Sequence, residues 1–262
     1  MIYVCIPSHN EAATVGLLLW KIRQVFAGFP REYQMLVLDD GSTDATAEIL
    51  EPYTRVLPLT VVNHPKRQGY AAAVQTLFRT ALELTDRPKR DAAILMHADF
   101  THNPQVIPDL VRRIESGADL VIAEGKLEGE PSRPHRMLRR FAPQLLRGVV
   151  AVPGIHDVVS GFSIVRLVAL RNAMRSHQNG FLVTDGWAAN AELYWRTGRY
   201  ARRVEAVRSV ERHDLRQRPS RISPTEEALN LWRARSRFRA APIAPPGETA
   251  RDSERTTAAV SP

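Results

Sequence analysis

The chain has 262 residues, 44% of them hydrophobic, which is typical of one globular domain with a large buried core. Its 36 basic and 28 acidic residues give a net charge of +8, compatible with nucleic acid, an anionic membrane or a phosphorylated substrate as partner. The single cysteine, Cys5, excludes an internal disulfide framework, and no stretch approaches the roughly eighteen apolar residues that cross a bilayer. Because residues 1–4 also lack a basic signal region, we expect a cytoplasmic protein.

The chain up to residue 124 alternates short apolar runs with helical patterns. The runs predict strands at 2–6, 35–39, 59–62, 92–97 and 120–123, and the patterns predict helices at 12–26, 45–53, 71–84 and 104–114. Strands separated by crossover helices imply an α/β fold with a doubly wound, mostly parallel central sheet and helices on both faces. In such a sheet, ligands bind beyond the carboxyl ends of the strands.

The pattern changes after residue 124. It predicts helices at 137–150 and 188–196, strands at 157–165 and 200–210, and a last helix that starts at Ser223-Pro224-Thr225-Glu226. We therefore expect one domain over 1–222, a basic amphipathic helix over 223–239 and a disordered tail over 240–262. The tail is rich in Pro, Ala, Ser and Thr without periodicity, a composition that favours disorder.

Polar residues follow three of the predicted strands, at 7–11, 39–44 and 97–99. His97 and Asp99 are two residues apart, and alternate residues of a strand point to the same side, so an imidazole and a carboxylate there could hold one Mg²⁺ or Mn²⁺ ion. A cation in that place would clamp a diphosphate. A carboxylate that closes a strand is about as often a helix cap or a solvated loop residue.

The second polar set contains two adjacent carboxylates. Asp39 ends an apolar strand at the ligand-binding rim, where it could accept hydrogen bonds from a base or a ribose. Asp40, Ser42 and Asp44 belong to a turn, and the commoner role of such residues is to form the turn or cap the next helix.

The loop at 66–69 precedes an alanine-rich helix and has the sequence Lys-Arg-Gln-Gly. Cationic side chains and a glycine at a helix N-terminus suit an anion, although a solvated loop of this composition is equally common. No Gly-x-Gly-x-x-Gly follows the first strand and no Walker motif is present, which argues against a dinucleotide cofactor and a P-loop nucleotide triphosphatase.

Five segments, taken in order, resemble one family. They are IPSHNE at 6–11, VLDDGSTD at 37–44, Gly69 with its following helix, HAD at 97–99 followed by Asn103-Pro104, and DVVSGF at 157–162. This set is similar to that of the family-2 inverting glycosyltransferases with a GT-A fold, and most similar to the polyprenyl-phosphate glycosyltransferases, which include dolichol-phosphate mannosyltransferase. The resemblance covers about residues 1–222.

The resemblance implies an enzyme that moves a sugar from a GDP- or UDP-sugar to an acceptor with the help of a divalent cation. A polyprenyl phosphate is the acceptor that it favours, and a hydroxyl of a soluble small molecule or glycan is the alternative. It assigns metal binding to Asp99, with His97 beside it, and catalysis to Asp99 and Asp157. The candidate nucleotide-sugar-binding residues are Pro7, Asn10, Glu11, Asp39, Asp40, Lys66, Gly69, Ala98, Ser160, Gly161, Arg216, Ser220 and Arg221.

The chain departs from the family pattern at three positions. His97 stands where the family usually has Asp, Thr101 where it has Gln or Glu, and Pro219 where it has Gly. A neutral imidazole ligates a metal but adds no charge, so His97 is either a cation ligand of different affinity or a direct contact of the diphosphate.

Two further carboxylates are candidates for a general base. Asp185 and Glu192 lie seven residues apart near the start of a predicted helix, hence on one face of it, so either could approach the acceptor. A capping or ion-pair role is the alternative for at least one of them. A lipid phosphate is already anionic at neutral pH, so such an acceptor needs no strong base.

The basic helix at 223–239 has an apolar stripe that contains Leu231, Trp232 and Phe238, with arginines around it. This composition is typical of an interfacial helix, which would hold the protein peripherally on the inner face of the membrane. The alternative is that Leu231 and Trp232 dock on the catalytic domain. Two distant alternatives for the whole chain are a noncatalytic relative and a nucleic-acid-binding protein; against the latter, the sequence lacks aromatic-rich strand signatures and a helix-turn-helix signal.

Overall fold

A computed structural model describes residues 1–128, 133–146, 149–150, 152–177, 180–213 and 223–240. Three candidate binding residues, Arg216, Ser220 and Arg221, lie outside the described residues, as does the tail from 241 onward for which disorder is expected.

The described residues contain one seven-stranded sheet with the strand order β3-β2-β1-β4-β6-β5-β7. The strands are β1 (Ile2–Ser8), β2 (Tyr33–Asp40), β3 (Leu59–His64), β4 (Ala92–Leu95), β5 (Leu120–Glu128), β6 (Ser163–Arg166) and β7 (Val204–Arg212). All neighbouring pairs are parallel except those made by β6, which runs antiparallel to both β4 and β5. The expected mostly parallel, doubly wound sheet is confirmed.

Helices cover both faces of the sheet. They are α1 (Val15–Gly28), α2 (Thr46–Tyr53), α3 (Tyr70–Leu84), α4 (Ile107–Glu115), α5 (Arg133–Leu146), α6 (Leu167–Arg175), α7 (Gly186–Gly198) and α8 (Pro224–Ala240), with a short 3-10 turn at Pro104–Val106. None of the helices in the described ranges combines the length and the apolar character that a bilayer crossing requires.

Strand β1 is buried on both faces of the sheet. Val4, Cys5 and Ile6 are fully buried. Val4 and Ile6 pack into the core cluster that includes α1 and α4, whereas Cys5 packs into the cluster that includes α3 and α7. A strand buried on both faces reads as a continuous apolar run and not as an alternation, which is the pattern of the sequence at 2–6. Burial also raises the pKa of the Cys5 thiol, which therefore stays neutral.

In the second half of the chain one predicted strand was wrong over most of its length, and one predicted helix is present with shifted bounds. The strand expected at 157–165 begins only at Ser163, and α6, which follows it directly, was not predicted. Apolar β-branched residues at 158–159 favour a strand, but tertiary bonds hold this segment as a loop: the Ser160 hydroxyl donates to the Ala123 carbonyl and accepts from the Phe162 amide. Helix α5 spans Arg133–Leu146 and not 137–150, with Pro134 in its first turn, where a missing N–H costs nothing.

Helix α8 packs against α5 and α7. Leu231 is fully buried, and the ring of Phe238 lies 5.5 Å from that of Trp195 on α7. The Arg235 guanidinium donates to the Leu145 carbonyl on α5. Trp232 is 63% exposed. Of the two residues for which docking was the alternative to membrane contact, only Leu231 docks.

Candidate functional site

A cavity of about 280 Å³ opens at the carboxyl ends of β1, β2 and β4. One side of its wall, here called the strand-end half, consists of Pro7, Ser8, His9, Glu11, Asp40, Arg67, Tyr70, Ala73, His97, Ala98 and Asp99. The other side, here called the helical half, consists of Asp185, Gly186, Trp187, Asn190, Ser223, Glu226, Glu227 and Asn230. The position agrees with the rule that α/β sheets bind ligands beyond their strand ends.

The turn after β1 is tied to the turn after β2. The Asn10 amide N–H donates to the Ser42 hydroxyl at 2.8 Å, and the Asn10 side-chain oxygen accepts from the Thr43 N–H at 2.7 Å. Asn10 has a φ of 50°, a left-handed conformation that Asn tolerates. The turn presents Pro7 and Glu11 to the cavity, while Asn10 itself lies behind the wall and joins the two turns.

The adjacent carboxylates Asp39 and Asp40 have different surroundings because consecutive strand residues point to opposite faces. Asp40 lines the cavity, and Asp39 is buried outside its wall, where Oδ1 accepts from the Ser42 N–H. Asp40 accepts hydrogen bonds from Nδ1 of His64 and from the N–H groups of Gln68 and Gly69. Burial alone would raise the pKa of Asp40, but these three donors outweigh it and hold the pKa below its usual value.

The start of α3 was expected to offer its amides to an anion. Two of the amides around this helix start are instead bonded to carboxylates of the protein: Gly69 N–H donates to Asp40 and Ala71 N–H donates to Asp185 at 2.9 Å. Lys66 is exposed and lies outside the cavity wall, whereas its neighbour Arg67 lines it. The cationic contribution of this loop to the cavity therefore comes from Arg67.

His97 and Asp99 both line the cavity, although β4 ends at Leu95 and the two residues lie in the turn that follows. The turn is sharp, since Phe100 has a φ of 63°, which is uncommon for a residue other than glycine. Oδ1 of Asp99 accepts from the amide and the hydroxyl of Thr101, at 3.2 and 2.6 Å. Thr101, at the position where the family has an acid or amide, thus orients the Asp99 carboxylate.

A stack of rings holds His97 in place. His97 stacks on His102 with centroids 4.3 Å apart, His102 stacks on Phe162 at 5.0 Å, and the edge of Tyr70 meets His97 at 5.7 Å. Burial, reinforced by the neighbouring His97, lowers the pKa of His102 to about 3, so the middle ring is neutral. Gly161 passes against this stack: a Cβ there would lie 2.5 Å from Nε2 of His97. Gly161 and its turn therefore support His97 from behind.

The donor set at His97 and Asp99 fits a divalent cation that takes its other ligands from a substrate. Across the described ranges, no group of three or more His, Cys, Asp or Glu side chains is arranged to hold a metal ion by itself. Mg²⁺ is commonly bound through one or two carboxylates together with substrate phosphates and water, and the same oxygen ligands suit Mn²⁺. Asp99 supplies the carboxylate of that pattern, and His97 on the same cavity wall adds an imidazole, which can also ligate a metal.

Asp157 belongs to a buried ion network and lies outside the cavity wall. Both of its carboxylate oxygens accept from Arg139 of α5, at 2.5 and 2.6 Å, and Arg139 also donates to Glu211 of β7 at 2.7 Å. Burial by itself would lower the pKa of Arg139. The carboxylates of Glu211 and Asp157 raise that pKa by more, so the net shift is upward and the guanidinium stays charged. The network ties α5, the 157–162 loop and β7 together behind the ring stack.

The two candidate bases of α7 differ in exposure. Asp185 precedes the helix and lines the cavity. Glu192 is fully buried: one carboxylate oxygen accepts from the amides of Val183 and Thr184, and the other pairs with Arg196 at 2.5 Å. The seven-residue spacing does not bring both to the acceptor, because the helix begins only at Gly186.

Several wall residues were not predicted from the sequence. The hydroxyl of Tyr70, kept protonated by a pKa that burial raises well above the usual value, donates to Asn190 at 2.8 Å across 120 residues of chain. Glu226 was noted only as part of a helix start, and nothing in the pattern distinguished Trp187 or Glu227. For Arg67, the cationic sequence of the 66–69 loop was the feature from which a place on the cavity wall could have been predicted.

Comparisons with known proteins show which family the chain belongs to. Residues 3–173 match the family described as Glycosyl transferase family 2. The chain is 30% identical over 168 residues to dolichol-phosphate mannosyltransferase of Pyrococcus furiosus, covering 62% of this chain and 45% of the relative. It is 26% identical over 199 residues to polyprenol monophosphomannose synthase of Mycolicibacterium smegmatis, covering 74% and 70%.

A solved structure shows the same fold. Glucosyl-3-phosphoglycerate synthase from Mycobacterium tuberculosis, in complex with Mn²⁺, uridine diphosphate and phosphoglyceric acid, superposes with a TM-score of 0.62 at 20% identity, covering 93% of this chain and 80% of that one. The chain spans less than half the length of two of its curated relatives, at 45% and 39%. The family match covers well over half of the chain, from β1 into α6, and the chain belongs to glycosyl transferase family 2 with a GT-A fold.

Proposed function

We propose that this protein transfers a sugar, with inversion, from a nucleoside-diphosphate sugar to a polyprenyl phosphate. The observation that carries the proposal is that Asp99 and His97, from the turn after β4, line the same cavity as Asp185, from the start of α7. Two relatives are named for transfer to dolichol or undecaprenyl phosphate, which supports this class of acceptor.

The charge of the wall supports a metal-dependent donor. Among the described wall residues the only guanidinium or ammonium group is that of Arg67, against the carboxylates of Glu11, Asp40, Asp99, Asp185, Glu226 and Glu227. A diphosphate would be repelled by such a wall unless a cation accompanied it. Asp99 and His97 would hold that Mg²⁺ or Mn²⁺ ion, which would neutralise charge on the leaving diphosphate.

The strand-end half is proposed to bind the donor. Pro7, Glu11 and the joined turns after β1 and β2 would contact the nucleoside, with Asp39 setting the shape of the second turn through Ser42. Arg67 would meet the diphosphate. The sugar would then lie beside Asp99, between the two halves of the cavity.

The helical half is proposed to bind the acceptor. An acceptor oxygen attacks the anomeric carbon, a new carbon–oxygen bond forms, and the bond to the diphosphate breaks with its electron pair on the leaving group. A phosphate acceptor is already ionised and loses no proton. A hydroxyl acceptor would give its proton to Asp185, which is the base candidate on the cavity wall. The Glu192 carboxylate instead accepts from the Thr184 hydroxyl and pairs with Arg196.

A membrane-facing surface would bring the protein to a lipid acceptor. Met137 and Phe141 on α5 and Trp232 on α8 are exposed by 62%, 47% and 63% on two helices that pack together, and exposed Arg136 and Arg233 flank them. Apolar side chains ringed by arginine suit an anionic leaflet, such as the inner face of the membrane. Flotation with liposomes that rises with anionic lipid and falls with salt would support this part of the proposal.

A soluble glycan or small-molecule acceptor is the second candidate. The observation that favours it is the polar helical half, where Asn190 and Asn230 stand beside the carboxylates of Asp185, Glu226 and Glu227. Carboxylates and amides bind hydroxyl groups well, whereas they do not attract an anionic phosphate. Failure to float, together with transfer to a free glycan, would favour this candidate.

The first experiment is a thermal-shift screen of UDP, GDP, ADP and CDP with and without Mn²⁺. A nucleotide that binds only the folded state raises Tm through mass action, so one base should stand out in the presence of the metal. The matching nucleotide sugar is then incubated with a polyprenyl phosphate in detergent. No shift with any nucleotide would contradict the proposal, and a shift without turnover on either acceptor class would indicate a noncatalytic relative.

A further inference from the structure

The start of α7 has an unusual cap. Asp185 occupies the N-cap position with extended backbone angles, φ −127° and ψ 172°, yet its side chain makes no hydrogen bond to its own helix. An N-cap aspartate ordinarily accepts from the second or third amide of the helix that it begins, and this contact contributes about 0.5–2 kcal/mol. In α7 these amides belong to Trp187 and Ala188.

A residue of another helix occupies that place. Glu227, one turn into α8, accepts from the Trp187 N–H at 2.7 Å and from the Ala188 N–H. Gly186 makes the approach possible: its φ is +58°, and a Cβ there would lie 2.5 Å from Oε2 of Glu227. Helix α8 therefore supplies the cap that Asp185 does not.

The consequence is seen at the opposite side of Asp185. Its Oδ1 accepts from Ala71 N–H at the start of α3, 2.9 Å away, and the carboxylate lies on the cavity wall. A helix N-terminus attracts a carboxylate, and Asp185 stands between two of them. Because Glu227 fills the site on α7, Asp185 is left to α3 and to the cavity.

We propose that Glu227 is a positioning residue that keeps Asp185 out of its own helix cap and so holds the Asp185 carboxylate in the cavity. This inference rests on the proposed function. If Glu227 is removed, the Trp187 and Ala188 amides lose that acceptor, and Asp185 occupies the N-cap position whose side chain ordinarily takes it. The Asp185 carboxylate then turns into the cap and leaves the wall. The C-terminal helix, which lies beyond the family match at 3–173, thereby shapes the acceptor side of the cavity.

The test is a set of variants assayed for transfer from the nucleotide sugar that the thermal-shift screen selects to a hydroxyl acceptor, with water as the acceptor where no other turns over. A hydroxyl gives its proton to Asp185, whereas a phosphate acceptor loses none. Glu227→Ala should lower kcat by about a hundredfold, the usual cost of a small misplacement in an active site, while KM for the nucleotide sugar stays near that of the parent. Glu227→Gln keeps an oxygen acceptor for the two amides and should restore most of the rate. Glu51→Ala, on the exposed face of α2, is the matched control.

A double-mutant cycle shows whether Glu227 acts through Asp185. Asp185→Asn should lose activity by itself, and adding Glu227→Ala should cost nothing more, because the group that Glu227 positions is already gone. Additive losses would overturn the inference, as would a parental kcat in Glu227→Ala. Should Glu227→Ala fail to fold, Gly186→Ala replaces it, since the added Cβ displaces Glu227 from the same two amides; a parental kcat there would overturn the inference too.

A crystal structure of Glu227→Ala gives a readout that does not depend on turnover. We expect an Asp185 oxygen within hydrogen-bond distance of Trp187 N or Ala188 N, and an Asp185 side chain that remains on Ala71 would overturn the inference. An inactive parent protein with the expected Asp185 rotation would contradict the proposed function and leave the positioning role intact.

Discussion

The two halves of the cavity are built by different kinds of contact. In the strand-end half, most wall residues lie at the carboxyl ends of β1 and β2, in the turn after β1 or in the turn after β4, and the others, Arg67, Tyr70 and Ala73, lie before or in α3. The bond from Asn10 to Ser42, which joins the turns after β1 and β2, spans 32 residues. In the helical half, the contacts join distant parts of the chain: Asp185 bonds to Ala71 across 114 residues and Tyr70 to Asn190 across 120.

This difference shows which contacts position the wall residues of each half. Adjacent parallel strands bring their carboxyl ends together by hydrogen-bond register alone, so short motifs suffice in the strand-end half. The helical half needs α7 and α8 to dock correctly on α3 and α5, and buried charges hold it. Perturbing the docking should therefore damage the helical half while the strand-end half keeps its nucleotide site.

The largest effect is expected from the ion network of Arg139, Asp157 and Glu211, whose guanidinium lies 5.7 Å from the ring centroid of Trp187 in the helical half. Arg139→Met leaves Asp157 and Glu211 buried without their shared cation, which should cost about 3–5 kcal/mol of unfolding free energy. Urea denaturation measures the loss. Arg112→Met breaks an exposed pair with Asp109 and should cost less than about 1 kcal/mol. Similar midpoints for the two variants would show that the network is not a structural support.

The docking of α8 gives the next largest effect. Leu231 is fully buried, so Leu231→Ala should lower the free energy of unfolding by about 2–4 kcal/mol, through lost burial and a cavity. Trp232, one residue further and exposed, is the matched control: Trp232→Ala should change stability by less than about 0.5 kcal/mol and should reduce liposome flotation instead. A stable Leu231→Ala variant would mean that α8 is not needed for the helical half.

Asp99 tests the strand-end half alone. Asp99→Ala removes the carboxylate proposed for the metal, and metal-dependent binding of the selected nucleoside diphosphate should weaken by at least about a hundredfold, since even outer-shell losses cost 10- to 100-fold. Titration calorimetry with and without Mn²⁺ measures it, with Asp109→Ala as the exposed control. Unchanged calorimetry for Asp99→Ala would contradict the metal assignment.

The last effect is a pH dependence of stability. Burial raises the pKa of Glu227 to about 7; the amides of Trp187 and Ala188 oppose that rise and the nearby Asp185 adds to it. Between its unfolded value of about 4.5 and about 7, the folded protein binds more protons at this site than the unfolded chain. The free energy of unfolding should therefore fall as pH rises through this window and then level off.

Glu227→Gln removes that titration. The variant should show a flatter curve of unfolding free energy from pH 4.5 to 7. The difference should be on the order of 3 kcal/mol, because a rise from 4.5 to about 7 is about 2.5 pKa units and one unit corresponds to about 1.4 kcal/mol. Denaturant melts at three pH values suffice. Parallel curves for the two proteins would show that Glu227 does not titrate in this window.

How much of the site could be predicted differs between the halves. Pro7, Glu11, Asp40, His97 and Asp99 were named from strand-end motifs, and all of them line one cavity. The sequence favoured Asp39 over Asp40 as the ligand contact, whereas the structure places Asp40 and not Asp39 on the cavity wall. Their opposite orientations depend on where β2 ends and on which donors reach each carboxylate.

In the helical half the sequence named two candidate carboxylates but could not tell which of them reaches the cavity. The spacing of Asp185 and Glu192 suggested that they share one helix face. In the structure α7 begins after Asp185, and the buried Glu192 carboxylate accepts from the Thr184 amide instead of reaching the cavity. Asp157 was named as catalytic from the family pattern, and its pairing with Arg139 could not be read from a local motif.

The sequence by itself determined the doubly wound sheet, the family and the strand-end motifs, because each depends on local periodicity and on residues adjacent in the chain. Only the tertiary structure decided that β6 is antiparallel, that Leu231 docks while Trp232 does not, and that Glu227 caps α7 in place of Asp185. The physical reason is that a buried carboxylate bonds to the nearest amides in space, and helix packing, not sequence spacing, sets which amides those are.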